Sequence, residues 1–322
     1  MSAGVIVNPL SAQGNRKGRK LAAMLRQSAP AARVVMLEHF DDLGPALAEF
    51  AEAGIEALFI SGGDGTIQAV LTDLALNWRG PFPALGLLPH GSTNMVAGDI
   101  GFRNKRLAAQ RDYIARAGWR SADAKREERP VLQVHDSAQG RRYGFFCGAG
   151  GVAEATFYTI RAFNRKGVIG HLGPLATLAV TLGKALFGRP ATMADDDRFD
   201  KPYPMRIVAD GELIAEGPQT AFLVTTLRRV VLGARPFWGG CAGPLRLSVF
   251  GWPPPNLLRW MPVAMYGGED RRLPAGALSL CPRRVEVTAP QPLVLDGEEV
   301  WLKDGQETVI VTRGPRFTFL RG

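Results

Sequence analysis

Through the first third of the chain, short apolar runs alternate with longer stretches of helical spacing. Residues 5–7 form a β-branched run that ends in a polar loop, and residues 16–25 have helical spacing with a basic face. Residues 33–37 read as a second strand, and residues 43–53 as a helix stopped by Gly54. A third apolar run, residues 58–60, is followed by helical spacing from Ile67 (Ile67, Val70, Leu71, Leu74) to about residue 78. Residues 84–88 form a fourth run, with helical patterns after it to about residue 117. Strands alternating with helices of this length predict a parallel sheet covered on both faces. Ligands bind such sheets at the carboxyl ends of the strands, where three polar, glycine-bearing loops fall here.

From about residue 121 the texture changes. Residues 131–134 and 143–147 read as strands, 152–187 as a helical stretch, and 189–204 as a loop rich in Pro and Asp. Short strands separated by turns follow, at 205–209, 213–215, 220–226, 245–250, 285–289, 292–295, 299–302 and 308–312. This spacing predicts a β-sandwich or barrel-like domain. The fold class is therefore an α/β N-terminal domain (1–125) with a parallel, Rossmann-like sheet, and a mainly antiparallel β-sandwich domain (126–322). Residues 168–187 approach the ~20 apolar residues a membrane span needs. His171, Pro174, Lys184 and three glycines instead predict a core or interfacial helix. Arg161, Arg165 and Lys166 precede it, so a basic, apolar surface there could rest on anionic lipid.

Composition narrows the class only a little. With 46% hydrophobic and 21% charged residues, the 322-residue chain has ample core and no signature of disorder. Thirty-nine Lys and Arg against 30 Asp and Glu give a formal charge of +9, which suits nucleic acid, nucleotides or an anionic membrane without choosing among them. Cys147, Cys241 and Cys281 lie far apart, and His39, His90, His135 and His171 are scattered. Neither set predicts a zinc site or a disulfide framework, and the start lacks a signal-peptide layout, so the expected compartment is the cytoplasm.

The chemistry concentrates in residues 57–70. An apolar strand stops at Ser61, and Gly62, Gly63 and Gly65 then crowd around one carboxylate, Asp64. Strand, glycine turn and helix in that order bring backbone N–H groups to a helix N-terminus, where a phosphate is welcome. An ordinary βα turn would also use Gly and Asp. There is no G-x-x-x-x-G-K-[ST] segment, which argues against a P-loop fold.

Taken in order, Asn8-Pro9-x-Ser11, Gly62-Gly63-Asp64-Gly65-Thr66, Pro89-x-Gly91-Ser92-x-Asn94 and a late Leu295-Asp296-Gly297-Glu298 resemble the diacylglycerol kinase catalytic-domain family, which includes bacterial lipid kinases and sphingosine kinases. The Gly148-Ala149-Gly150-Gly151 segment before a basic, apolar helical region is similar too. The resemblance covers nearly the whole length. It implies ATP and Mg²⁺ as cofactors, a lipid alcohol as substrate, and nucleotide bound between the two domains. Asn8, Pro9, Leu10, Ser11 and Ala12, with Gly62, Gly63, Asp64, Gly65, Thr66 and Gln68, would hold the nucleotide phosphates. Ser92, Thr93 and Asn94 would contact the nucleotide from the neighbouring strand end. Glu298 would accept the hydroxyl proton, and Asp64 would organise metal or nucleotide, with Asp296 a further candidate metal ligand. The same resemblance allows residues 313–322 to pack back on the first domain; no nucleic-acid partner is expected, and a homodimer and peripheral contact with the inner membrane face stay open.

Three positions depart from the family pattern. Ala69 stands where a Glu is common, Met95 follows Asn94 where an Asp is common, and residues 239–245 carry no carboxylate where many members hold a structural metal. A hard cation prefers carboxylate oxygens, so no structural metal is expected at that segment. Two other functions stay in view: a kinase of a soluble alcohol such as NAD, and a catalytically silent homologue that binds nucleotide or lipid.

Overall fold

The computed structural model describes residues 3–29, 31–136, 140–162, 198–240, 243–254, 256–289, 293–300 and 308–322. The helical stretch beyond residue 162, the segment 168–187, Arg165, Lys166 and Cys241 lie outside the described residues. The chain forms two units, residues 1–130 with 315–322, and residues 131–314.

In the first unit four parallel strands, β1 (Ala3–Val7), β2 (Ala32–Met36), β3 (Ala57–Gly62) and β4 (Ala84–Pro89), lie in the order β2-β1-β3-β4. Val7 sits opposite Ser61 and Gly62 opposite Pro89, so β1, β3 and β4 end level with one another. The end of the last strand of the chain joins parallel beside β4, with Phe319 opposite Leu85. Leu21, Ala22 and Leu25 of α1 (Arg16–Ser28) and Ile114 of α5 (Leu107–Ala115) pack against Ala3, Val5, Val7 and Phe59 on one face. On the opposite face, a Cβ at Gly4 would come within 2.8 Å of Phe50 in α2 (Leu43–Glu52), so β1 and α2 are in close contact there. Phe59 meets Phe102, Tyr113 and Trp119 edge to face, a geometry that adds about 0.5–1.5 kcal/mol per pair to simple burial.

Helix α3 spans Asp64–Asn77 and so begins three residues before the apolar spacing starts at Ile67. Spacing reports only the buried face, here Ile67, Val70, Leu71 and Leu74. The first turn is set by Gly63, extended at φ −92°, and by an acid placed where the helix dipole favours it. The helical pattern to residue 117 divides into α4 (Met95–Ile100) and α5.

The second unit is mainly antiparallel. Its strands are the later part of β5 (Arg126–Asp136), β6 (Gly140–Gly144), β7 (Phe146–Gly150), β8 (Tyr203–Ala209), β9 (Glu212–Thr225), β10 (Arg246–Gly251), β11 (Ala277–Leu280), β12 (Arg284–Thr288), β13 (Leu293–Leu295), β14 (Glu298–Val300) and the first part of β15 (Thr308–Leu320). The order is β14-β13-β7-β9-β8-β12-β15, with β10 and β11 branching from β9 and β6 pairing β5. Alternate residues, such as Tyr203, Met205 and Ile207, Val285 and Val287, and Val309 and Val311, point into one core. The sequence pattern divides residues 213–226 into two strands, yet β9 runs unbroken. Gly217, at φ +94°, keeps the chain paired with Met205 across Pro218.

Among the described residues this unit has two α-helices, α6 (Gly151–Ala162) and α7 (Leu257–Tyr266). The pattern gives no expectation for α7, because apart from Arg259 every residue in it is apolar and no polar stripe marks a period. Cys147 is free and buried, while Cys281 is disulfide-bonded, a departure from the expectation of unpaired cysteines. Among the described residues, no helix is long and apolar enough to cross a membrane.

Candidate functional site

The level ends of β1, β3 and β4 bring their three following loops side by side. Asn8, just past β1, donates through Nδ2 to the Thr66 hydroxyl at 2.9 Å, and its Oδ1 accepts the Leu10 amide at 2.9 Å. The Ser11 hydroxyl lies 3.3 Å from that of Thr66 and accepts the Gly63 amide at 3.3 Å. These bonds lock the first loop to the start of α3. The third loop touches the second through backbone: a Cβ at Gly91 would lie 2.3 Å from the Gly63 Cα, so no other residue fits there without moving a loop. Asn94, at a left-handed φ of 54°, closes the third loop on itself, its side chain accepting from the Gly91 amide and donating to the Gly91 carbonyl, each at 2.7 Å.

Under the loops sits a buried polar hub. Asn15 Nδ2 donates to the Asn8 carbonyl at 2.9 Å and to the Ser61 carbonyl at 3.0 Å, while its Oδ1 caps α1 through the Gly18 amide at 2.9 Å. The Ser61 hydroxyl lies 2.9 Å from His90 Nδ1. Burial, then the Lys17 ammonium, lower the His90 pKa to about 4, while Gln110 pulls the other way. The ring is neutral at ordinary pH, so one of its two nitrogens carries the proton and the other accepts. Sequence reading takes Ser61 only as the end of a strand and His90 only as one of four scattered histidines, and passes over Asn15, whose N-cap position ahead of α1 was the one available signal.

Asp64 bridges the second and third loops. Its Oδ2 accepts the Met95 amide and its Oδ1 the Val96 amide, both at 3.0 Å, at the start of α4. The residue is partly accessible, but its carboxyl group is enclosed, and desolvation raises its pKa to about 6 against the pull of the two amides. The first-turn N–H groups of α3, on Asp64, Gly65 and Thr66, have no carbonyl within the helix to bond. They converge with the helix dipole on the edge where the glycines add no side-chain cover. Arg16 and Lys17, exposed in the first turn of α1 with no acid beside them, add positive charge.

The candidate residues do not all gather at this edge. Leu10 is 70% exposed at the tip of its loop. Gln68 is buried, with its side chain turned along α3 to the Thr72 hydroxyl at 3.2 Å. Ser92 and Thr93 are half-buried in the third loop.

In the second unit Asp296 and Gly297, at φ 49° and 95°, make the tight turn between β13 and β14, a type I′ signature. Asp296 is 2% exposed, and its two carboxylate oxygens accept the Phe145 amide at 2.8 Å and the Phe146 amide at 2.9 Å. These two bonds make Asp296 an anchor of the hairpin; among the described residues no group of three His, Cys, Asp or Glu stands together. Glu298 is exposed just after the turn. Arg142 is near enough for Glu298 to favour its charged form, although burial lowers the Arg142 pKa overall, and its Nη1 donates to the Glu299 carbonyl at 3.2 Å.

Residues 2–126 match the family model of the diacylglycerol kinase catalytic domain. The chain is 36% identical over 97 residues to Probable lipid kinase YegS of Salmonella newport, a match covering 30% of this chain and 32% of that protein. The chain thus spans about a third of that curated relative's length. Among solved structures, a diacylglycerol kinase of Bacillus anthracis superposes with a TM-score of 0.61 at 16% identity, covering 100% of this chain and 97% of the other. Yeast NADH kinase complexed with NADH gives 0.51 at 10% identity, covering 100% of this chain and 84% of the other. At these identities the two likenesses show the fold, a parallel α/β part followed by an antiparallel part. Over residues 2–126 the chain is therefore similar to the diacylglycerol kinase catalytic domain.

Proposed function

We propose that the protein transfers the γ-phosphate of ATP to the hydroxyl of a lipid alcohol, diacylglycerol-like or sphingoid-like. The observation that carries this reading is the edge where bare α3 amides, the bonded Asn8–Ser11–Thr66 hydroxyl and amide groups, and Asp64 lie together. Phosphoryl transfer asks a protein mainly to position and to stabilise charge, and uncovered amides at a helix N-terminus do both. The relative named a lipid kinase points to the acceptor.

In this reading the loops at Asn8–Ala12 and Gly62–Thr66 hold the phosphates, and Ser92, Thr93 and Asn94 hold the nucleotide from the third loop. Glu298, exposed just after the hairpin turn, accepts the hydroxyl proton. Mg²⁺, when bound, neutralises charge on the phosphates. One carboxylate plus phosphate oxygens and water is the donor set this ion favours, and Asp64 keeps lone pairs beyond its two amide bonds, so it fits as that carboxylate through water.

The test is to incubate the protein with Mg·ATP labelled at the γ-phosphate and a lipid panel, extract into organic solvent, and weigh the product. Label in the solvent phase, lost in Glu298→Gln while nucleotide binding persists, is the expected result. Label retained in water on NADH or NAD would overturn the lipid acceptor. ATP binding with no transfer to any acceptor would make the chain a silent homologue, a reading favoured by the lack of acids at residues 239–245.

A further inference from the structure

The geometry points to a second surface, on the C-terminal unit, and we propose that α7 and the loops bonded to it dock on an anionic membrane. Helix α7 is apolar on every side apart from Arg259, a composition that suits burial or an interface with lipid rather than open water. Yet only Ala264 of its described side chains is fully buried. Trp260, Met261 and Met265 are half-buried, Pro262 is exposed, and Tyr266 is 51% exposed.

Two loops frame this helix. The Arg235 amide donates to the Met265 carbonyl at 2.7 Å, and the Tyr266 hydroxyl reaches the Leu232 carbonyl at 3.4 Å. Arg271 reaches back from the other side, its guanidinium donating to the carbonyls of Val263, Ala264 and Phe237 and standing 6.0 Å from the Trp238 ring. Leu232 sits in this frame at a left-handed φ of 60°.

Charge supplies the choice of partner. Arg229, Arg235, Arg259 and Arg272 are exposed, and none is in an ion pair among the described residues. Arg259 lies over the Trp260 ring at 5.0 Å, a pairing of cation and indole suited to the level of lipid headgroups. Burial and then the nearby Arg235 disfavour the charge of Arg271, so cations are crowded together here, with Glu269 and Asp270 as exposed acids in the same loop. An apolar, aromatic helix ringed by unpaired arginines is complementary to a bilayer carrying negative headgroups. The lipid-kinase reading gives this surface its purpose and the proposal rests on it to that extent, while the binding itself is measured without catalysis.

The experiment is co-sedimentation of the whole protein with vesicles of phosphatidylcholine alone and with phosphatidylglycerol added, at low and high salt. Wild type is expected on the anionic vesicles, released by salt and absent from the neutral ones. Each arginine near an anionic surface is worth about a fivefold change in partitioning, so Arg235→Glu with Arg259→Glu should weaken binding more than about twentyfold. Arg229→Glu with Arg272→Glu repeats the test with different exposed side chains, and Tyr266→Ser tests the apolar part. Equal binding to both vesicle types, or reversal variants that bind like wild type, would overturn the proposal. So would a dimer in solution that these substitutions split, since a second copy would then cover the face. Transfer to lipid dispersed in detergent, unchanged by the variants, separates a failure of docking from a failure of the kinase reading.

Discussion

Asp64 in the first unit and Asp296 in the second make the same bonds in different surroundings. Each carboxylate receives two consecutive backbone amides, Met95 and Val96 in one case and Phe145 and Phe146 in the other. Asp296 does so in a closed hairpin, where a Cβ on Gly144 would come within 2.5 Å of its Oδ2. Asp64 does so beside unbonded helix amides and in a partly accessible residue. Two amide bonds fix a carboxylate in place; whether it then serves architecture or chemistry depends on what else reaches it.

The sharpest way to break this comparison is to remove both side chains in turn. Asp296→Ala would leave two buried amides without acceptors, costing roughly 3 kcal/mol or more at about 1–3 per orphaned group. It should lower the denaturant midpoint of the C-terminal unit substantially. Asp64→Ala should cost less stability, because its bonds to the Met95 and Val96 amides are only partly buried, but should abolish transfer. If Asp64→Ala unfolds the protein as readily as Asp296→Ala does, the distinction fails, and Asp64 is an anchor as well.

A smaller effect tests how the loops are held. The Cβ of Gly91→Ala would lie 2.3 Å from the Gly63 Cα, with the Gly62 carbonyl oxygen and Gly63 amide nitrogen each at 3.0 Å, all backbone atoms. The two loops must separate, at about 1–3 kcal/mol, by analogy with overpacking a filled interior. Because the bare amides of α3 begin just after Gly63, at Asp64, the nucleotide KM should rise at least about tenfold. Gly297→Ala, in the hairpin of the second unit, has open space around its Cβ and is strained only by its φ of 95°, so it should weaken stability without touching nucleotide KM.

How much of this was legible follows the same divide. The parallel sheet and its glycine-bearing loops could be read because apolar runs, helical spacing and glycine turns are local signals. The partners of Asp64 could not, since Met95 and Val96 lie 31 and 32 residues away and meet it only when β3 and β4 pair. The same is true of the Asn15–Ser61–His90 hub, whose members lie in three separate segments. For Asp296, the Asp-Gly pair announces the turn but not the destination of the carboxylate, 150 residues from the amides it binds. Helix α7 escaped for the opposite reason: its uniformly apolar sequence offers no contrast from which to read a period.

The smallest of these effects, a net change of about 1 kcal/mol, concerns pH and pairs the hub with Asp64. The pKa of His90 is lowered in the fold from 6.5 to about 4, so the folded state binds fewer protons than the unfolded chain between those values. Its contribution to stability is complete above the unfolded pKa and is lost as pH falls through the folded one. Asp64 is raised from 3.8 to about 6, so the stability linked to its protonated form is complete below the unfolded value and lost as pH rises through about 6. Going from about pH 7 to about pH 5, His90 should therefore remove roughly 2 kcal/mol, while Asp64 returns roughly 1 kcal/mol. In His90→Asn, which keeps a polar group near Ser61 but does not titrate, the acid loss should vanish and the Asp64 gain should stand alone, seen as a higher denaturant midpoint at the lower pH. A variant whose acid profile matches that of wild type would show that His90 does not stay neutral beneath the loops.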